Sequence, residues 1–251
     1  MSKAAIIIPA RWASTRFPGK PLFSILGKPL LQHAWERCQK VRSVSQVIVA
    51  TDDMRIAEAA FGFGAEVALT SPDHPSGTDR IAEVAVHLSG VKHIINLQGD
   101  EPAIDPKLID LLVGRLQDDP KLQMVTAATP FETAEDVANP NNVKVVTGVR
   151  GQALYFSRSA IPFDRDGTAK PKFWWHMGLY GYRRDFLLEY VKWKPTPLEE
   201  CEKLEQLRAL EHGASIHVVT TKHRAVGVDT PEDVARAEAA LSAKVKKPAK
   251  G

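Results

Sequence analysis

Cysteine is scarce in this chain: Cys38 and Cys201 are the only two, far apart and each inside a helical pattern. That excludes a disulfide framework and a zinc cage and points to a reducing compartment. No apolar run reaches the length of a membrane span. The N-terminal one stops at Arg11, too short for the core of a secretory leader, so a soluble cytoplasmic protein is expected. Charge of one sign is not in excess either. Lys244, Lys246, Lys247 and Lys250 crowd into residues 244–251 without an acid, and without those four the formal net charge of +3 becomes −1. The body therefore has no basic field for nucleic acid, and the tail, with no aromatic residue to stack on bases, reads as a solvated, disordered end. Two glycine signatures are missing as well. Gly19-Lys20 is followed by Pro21 where a P-loop needs Ser or Thr, and no Gly-x-Gly-x-x-Gly occurs.

What remains is an ordinary globular composition, 44% hydrophobic and 25% charged over 251 residues. Ile6 to Ile8 begins an unbroken run suited to a strand buried on both faces. Pro29 to Lys40 has helical spacing, Gln46 to Ala50 is a second buried strand, and Asp52 or Asp53 caps a helix through Ala60, with Gly62 as its turn. Glu66 to Leu69 is a further strand. This rhythm predicts an α/β fold with a doubly wound, mostly parallel, Rossmann-like sheet, a single domain over residues 1–243. From Glu132 the alternation weakens. Val143 to Val149 and Gln152 to Phe156 read as a hairpin, and Trp174 to Tyr182 as an aromatic strand with Gly178 and Gly181 permitting close backbone approach. Residues 131–200 are accordingly expected to form an insertion that carries an acceptor site and a subunit contact, giving a homodimer.

Chemistry gathers where strands end. Arg11, Arg16 and Lys20 follow the first strand in a loop punctuated by Pro9, Pro18, Gly19 and Pro21. Cations at the carboxyl edge of a buried strand call for an anion, and a triphosphate suits them. Ile94 to Gln98 ends in Gly99-Asp100, at the same edge. The next helix is started by Asp105-Pro106, so Asp100 is free to share a Mg²⁺ ion with phosphate. Thr230-Pro231-Glu232-Asp233 starts the last helix by itself, which leaves Asp229 outside the cap. Ser76 and Asp79 have the spacing of a capping box, but Arg80 opposes the helix dipole and needs another reason to be there.

The stretch from Ile6 to Leu22, Ile-Ile-Ile-Pro-Ala-Arg-Trp-Ala-Ser-Thr-Arg-Phe-Pro-Gly-Lys-Pro-Leu, resembles the signature of the sugar-nucleotide cytidylyltransferases, which couple CTP to an acidic sugar. Matching segments run on to Asp233: His74 to Arg80, Gln98 to Pro102, Tyr155 to Pro162, Trp174 to Tyr182, Lys203 to Leu210 and Val226 to Asp233. The resemblance implies CTP contacts from Ala10, Arg11, Arg16, Lys20, Ser76 and Arg80. It implies Mg²⁺ on Asp100 and Asp229, and catalysis by these two with Arg11 and Lys20. It implies acceptor contacts from Gln98, Arg158, His176, Tyr180, Glu205 and Gln206, among which a guanidinium at Arg158 can grip a carboxylate bidentately. Asp100-Glu101-Pro102 and Glu205-Gln206 with Arg158 favour 3-deoxy-manno-octulosonate (Kdo), a lipopolysaccharide sugar, over sialic acid or an amino-substituted Kdo. A non-catalytic nucleotide-binding regulator on the same fold is the rival of another class, and the intact aspartates and basic loop argue against it.

Overall fold

The computed structural model describes residues 3–13, 17–224 and 226–245. The chain divides into two compact units, one of residues 111–224, the other joining the chain up to Asp110 with the segment after Arg224.

The second of these is wound from alternating strands and helices. Strand β1 (Lys3–Ala10) is buried from Ala4 to Ala10, as its apolar run requires. A short hairpin, β2 (Ser24–Ile25) and β3 (Lys28–Pro29), leads into α1 (Leu30–Cys38), followed by β4 (Gln46–Thr51), α2 (Met54–Gly62), β5 (Glu66–Leu69), α3 (Gly77–Val86) and β6 (Val91–Asn96). β1 pairs in parallel with β4 on one side and β6 on the other, and β4 pairs in parallel with β5. The chain therefore moves outward from β1 through β4 to β5 and returns to the far side of β1 as β6. That reversal opens a crevice at the carboxyl ends of β1 and β6, where open parallel sheets bind ligands. Asp53, not Asp52, caps α2 by accepting from Arg55 N–H at 3.0 Å. The helix runs on through Gly62, and its closing turn falls instead on Gly64, at φ 90°.

α4 (Pro106–Asp118) begins at the proline read from the sequence. The unit of residues 111–224 then contains β7 (Met124–Pro130), α5 (Ala134–Ala138), β8 (Lys144–Thr147), β9 (Ala153–Ser157), β10 (Trp174–Arg183), α6 (Arg184–Tyr190), α7 (Pro197–Glu202), α8 (Gln206–Glu211) and β11 (Ile216–Thr220). β8 and β9 form the expected antiparallel hairpin, while β7 lies between antiparallel β10 and parallel β11. The register of β10 shifts between Met177 and Tyr180. Gly178 lies in that irregularity facing open space, so the close approach expected of it does not occur there.

α9 (Val234–Val245) belongs to the unit that contains β1, and residues 244 and 245, expected in the tail, are helical; residues 246–251 lie outside the described residues. Ala237 packs with Phe17, Ile25, Leu30 and Val228 in one buried cluster, which ties the end of the chain to the basic loop after β1. Among the described residues, no helix is long and apolar enough to cross a membrane.

Candidate active site

A cavity of about 460 Å³ opens at the crevice, lined by Pro9, Ala10, Arg11, Ala13, Lys20, Pro21, Leu30, Ser76, Gly77, Gln98, Gly99 and Asp100. β1 delivers Arg11, whose Nη2 is buried without a hydrogen-bond partner, a cation set to meet an anion. β6 delivers Gln98 and Asp100 through a turn at Gly99. A Cβ at Gly99 would lie 3.2 Å from Leu31 Cδ1, so a larger residue would press on that side chain. α3 presents its N-terminus: Ser76 Oγ accepts from Thr78 and Asp79 N–H at 3.1 and 3.2 Å and donates to Asp79 at 2.6 Å. A helix N-terminus at a cavity wall adds to its preference for phosphate.

Lys20 is the electrostatic centre. Its Nζ lies 2.5 Å from Asp100 Oδ2 and 3.6 Å from Asp229 Oδ1. Asp229 is carried by the last segment, and Val228 N–H donates to the Asp100 carbonyl at 3.0 Å, so backbone as well as charge brings the two aspartates together. Asp233, capping the final turn, accepts from Asp229 N–H at 2.9 Å and fixes that residue's backbone. Beside them, burial pushes the Glu101 carboxyl up to about 8, reinforced by Asp100 and Asp229 and opposed by Lys20.

Among the described residues, no group of three or more His, Cys, Asp or Glu gathers as a metal cage. Mg²⁺ does not need one, since it is usually held by one or two carboxylates completed by substrate phosphates and water. Two carboxylates converging on one cation, in a cavity that also displays Arg11, are a donor set that fits it.

Arg80 is placed differently from the direct CTP contact the resemblance implies. It is 1% exposed and does not line the cavity; Nη1 donates to Thr70 Oγ1 and Nη2 pairs with Asp52 at 2.8 Å. It ties the ends of β4 and β5 to α3. Arg16 lies outside the described residues.

Of the expected acceptor residues, only Gln98 belongs to the unit that holds the cavity; the other five are in residues 111–224. Within that unit, His176 and Tyr180 lie on either side of the irregularity in β10, with ring centroids 5.4 Å apart. His176 Nε2 is 3.0 Å from Thr126 Oγ1, and burial lowers its pKa to about 3, so the ring is neutral. Burial and the nearby charge of Glu205 together hold the Tyr180 phenol protonated. The spacing of Leu204, Leu207 and Leu210 predicts a helix over Lys203 to Leu210; it forms only from Gln206, as α8, because Lys203 adopts φ 53° where α7 ends. The break lets Tyr190, a residue not singled out from the sequence, donate from its hydroxyl to the Glu205 carbonyl at 2.6 Å. It also leaves Gln206 4% exposed with Nε2 unpartnered. Arg158 is anchored by backbone: Nε donates to Glu202 O at 2.6 Å and Nη1 to Pro140 O at 3.1 Å, while its own N–H donates to the Glu202 carboxylate at 2.9 Å.

A crevice at a parallel-sheet switch point, with a basic loop facing two aspartates, defines an enzyme that handles nucleotide phosphates. The chain belongs to the cytidylyltransferase family, whose model matches residues 5–216. It is 53% identical over 238 residues to the 3-deoxy-manno-octulosonate cytidylyltransferase of Geobacter sulfurreducens, covering 91% of this chain and 95% of that one. The protein of the same name from Myxococcus xanthus is 48% identical over 242 residues, 96% of this chain and 98% of the relative. Among solved structures, CMP:2-keto-3-deoxy-manno-octonic acid synthetase complexed with CTP superposes with a TM-score of 0.92 at 43% identity, over 97% of this chain and 100% of that one.

Proposed function

We infer that this chain transfers the cytidylyl group of CTP to Kdo, giving CMP-Kdo and pyrophosphate. The observation that carries the reading is the meeting of Lys20 with Asp100 and Asp229 at the mouth of a cavity lined by Arg11. Relatives of about half-identical sequence over nearly the whole chain bear the name of that activity. In the reaction, the anomeric hydroxyl oxygen of Kdo bonds to the α-phosphorus of CTP. The bond from that phosphorus to the bridging oxygen breaks, pyrophosphate departs with the electron pair, and the hydroxyl proton passes to water. Such a transfer depends mainly on alignment and on neutralising phosphate charge.

Arg11 and Lys20 supply the fixed positive charge, and the N-terminus of α3 adds its dipole. Mg²⁺ would be held by Asp100 and Asp229, and when bound it supplies Lewis acidity toward phosphate oxygens. A cation held by Asp100 and Asp229 would offset the repulsion these two carboxylates exert on Glu101. Within residues 111–224 the acceptor is assigned to Arg158, His176, Tyr180, Glu205 and Gln206; the buried, unpartnered amide of Gln206 supports that assignment, because such a donor is costly without a ligand hydroxyl. We also propose a homodimer; a monomer by light scattering at micromolar concentration would refute it.

Pyrophosphate release from the four nucleoside triphosphates, each offered with Kdo and with sialic acid, tests the whole reading. CTP with Kdo should exceed every other pair by orders of magnitude, since a site built to bond particular hydroxyls rejects analogues that lack them. Equal kcat/KM for the two sugars, or a purine nucleotide preferred over CTP, would defeat it.

A further inference from the structure

Arg11 and Lys20 flank a loop whose base is closed by Trp12 and Gly19. Gly19 N–H donates to the Trp12 carbonyl at 3.1 Å. Gly19 sits at φ 71°, and a Cβ there would come within 3.1 Å of the indole Cζ2 and Cη2, so both the backbone angle and the packing demand glycine. The indole in turn carries the Arg55 guanidinium, whose Cζ is 3.5 Å from the ring centroid. That guanidinium is held in place: Nε and Nη2 donate to the two carboxylate oxygens of Asp53 at 2.9 and 2.6 Å. Asp53 is itself fixed as the cap of α2. A continuous chain of contacts thus runs from the N-terminus of α2, through Asp53, Arg55 and Trp12, to the base of the basic loop. None of Asp53, Arg55 and Trp12 lines the cavity.

We propose that Arg55 and Trp12 are positioning residues for CTP: their stack locks the base of the loop so that Arg11 and Lys20 are presented together to the triphosphate. The proposal rests on the reading of the cavity as the CTP site. A planar guanidinium gripped bidentately by Asp53 can lie flat on the indole, whereas an ammonium has no plane to offer. The stack is worth about a two- to fivefold change in affinity at a half-exposed site.

The test is calorimetric titration of the whole protein with CTP, for Arg55→Met, Arg55→Lys, Trp12→Phe and Trp12→Leu, beside Lys20→Ala. Arg55→Met and Arg55→Lys should both weaken CTP about two- to fivefold. KM for Kdo should stay at the wild-type value, and the thermal midpoint should fall by no more than a few degrees. Trp12→Phe should retain most of the affinity, and Trp12→Leu combined with Arg55→Met should be no worse than either alone, the non-additivity of one shared contact. Wild-type affinity in Arg55→Lys would mean that the residue attracts CTP by charge alone and would overturn the proposal. So would an unchanged affinity in Arg55→Met while Lys20→Ala binds weakly. If Lys20→Ala also binds CTP normally, the cavity assignment falls and the proposal with it.

Discussion

His176 makes the fold sensitive to acid in a way that can be worked out in advance. Its ring is buried against Phe156 and Tyr180 with Nε2 on Thr126, and burial lowers its pKa from 6.5 to about 3. The unfolded chain takes up the proton as the pH drops below 6.5, whereas the folded chain resists until about 3. Stability is therefore intact above the unfolded value and is lost as pH falls between the two. At about pH 5 the unfolded state gains about 2 kcal/mol from this one protonation, against about 0.1 kcal/mol at about pH 7.5. Urea unfolding of the wild type and of His176→Gln at both pH values isolates it, because the carboxylates contribute alike to both proteins and cancel in the difference. The wild type should lose about 2 kcal/mol more than the variant on acidification. Equal losses would show that the imidazole is solvated or paired, and would refute the argument. The same neutral ring predicts that KM for Kdo has no inflection near the ordinary histidine range.

Lys20→Ala should lower turnover by about 10²-fold or more, as loss of a transition-state charge partner does, and a steady-state rate near that of the wild type would reduce the lysine to a structural counter-ion. Asp100→Asn and Asp229→Asn should each abolish most turnover and weaken Mg²⁺ binding measured by calorimetry in the presence of CTP, while circular dichroism stays native. Either variant retaining wild-type turnover would remove that residue from the metal.

The parallel part of the sheet was legible because burial on both faces leaves its strands as bare apolar runs: Ile6 to Ile8, Gln46 to Ala50 and Ile94 to Asn96 all lie in strands. Where cations or an acid follow such a run, the carboxyl edge tells which end carries chemistry, and Arg11, Lys20, Gln98 and Asp100 do line one cavity. Lys144 shows what such reading misses. It interrupts an apolar strand, yet it is fully buried and donates to the carbonyls of Asn139, Asn142 and Arg158, partners that only the tertiary fold supplies. The break at Lys203 was illegible for a similar reason. Leu204, Leu207 and Leu210 keep helical spacing, and nothing local reveals that Lys203 adopts the left-handed conformation that ends α7. Asp52 could have been found: two aspartates end β4, a helix needs only one as its cap, and the other faces Arg80.

Arg158 is where the sequence argument and the geometry bear on each other most closely. A guanidinium has five N–H donors, enough to bind a carboxylate bidentately and still serve other partners. Here Nε and Nη1 reach the carbonyls of Glu202 and Pro140, with Nη2 at 3.4 Å from Lys203 O, so the side chain braces the segment that ends α7 and precedes Glu205 and Gln206. Nη1 and Nη2 each keep one further N–H for a ligand. Arg158→Lys removes the planar fork and should act twice. Losing one half-buried and one exposed hydrogen bond to carbonyls should cost about 1 kcal/mol of unfolding free energy. The loosened segment and the lost grip should together raise KM for Kdo about tenfold or more, with KM for CTP unchanged. Thermal unfolding and two-substrate kinetics on one preparation separate the outcomes. Reduced stability with wild-type KM for Kdo would make Arg158 a brace alone, and a defect confined to CTP would remove it from the acceptor side altogether.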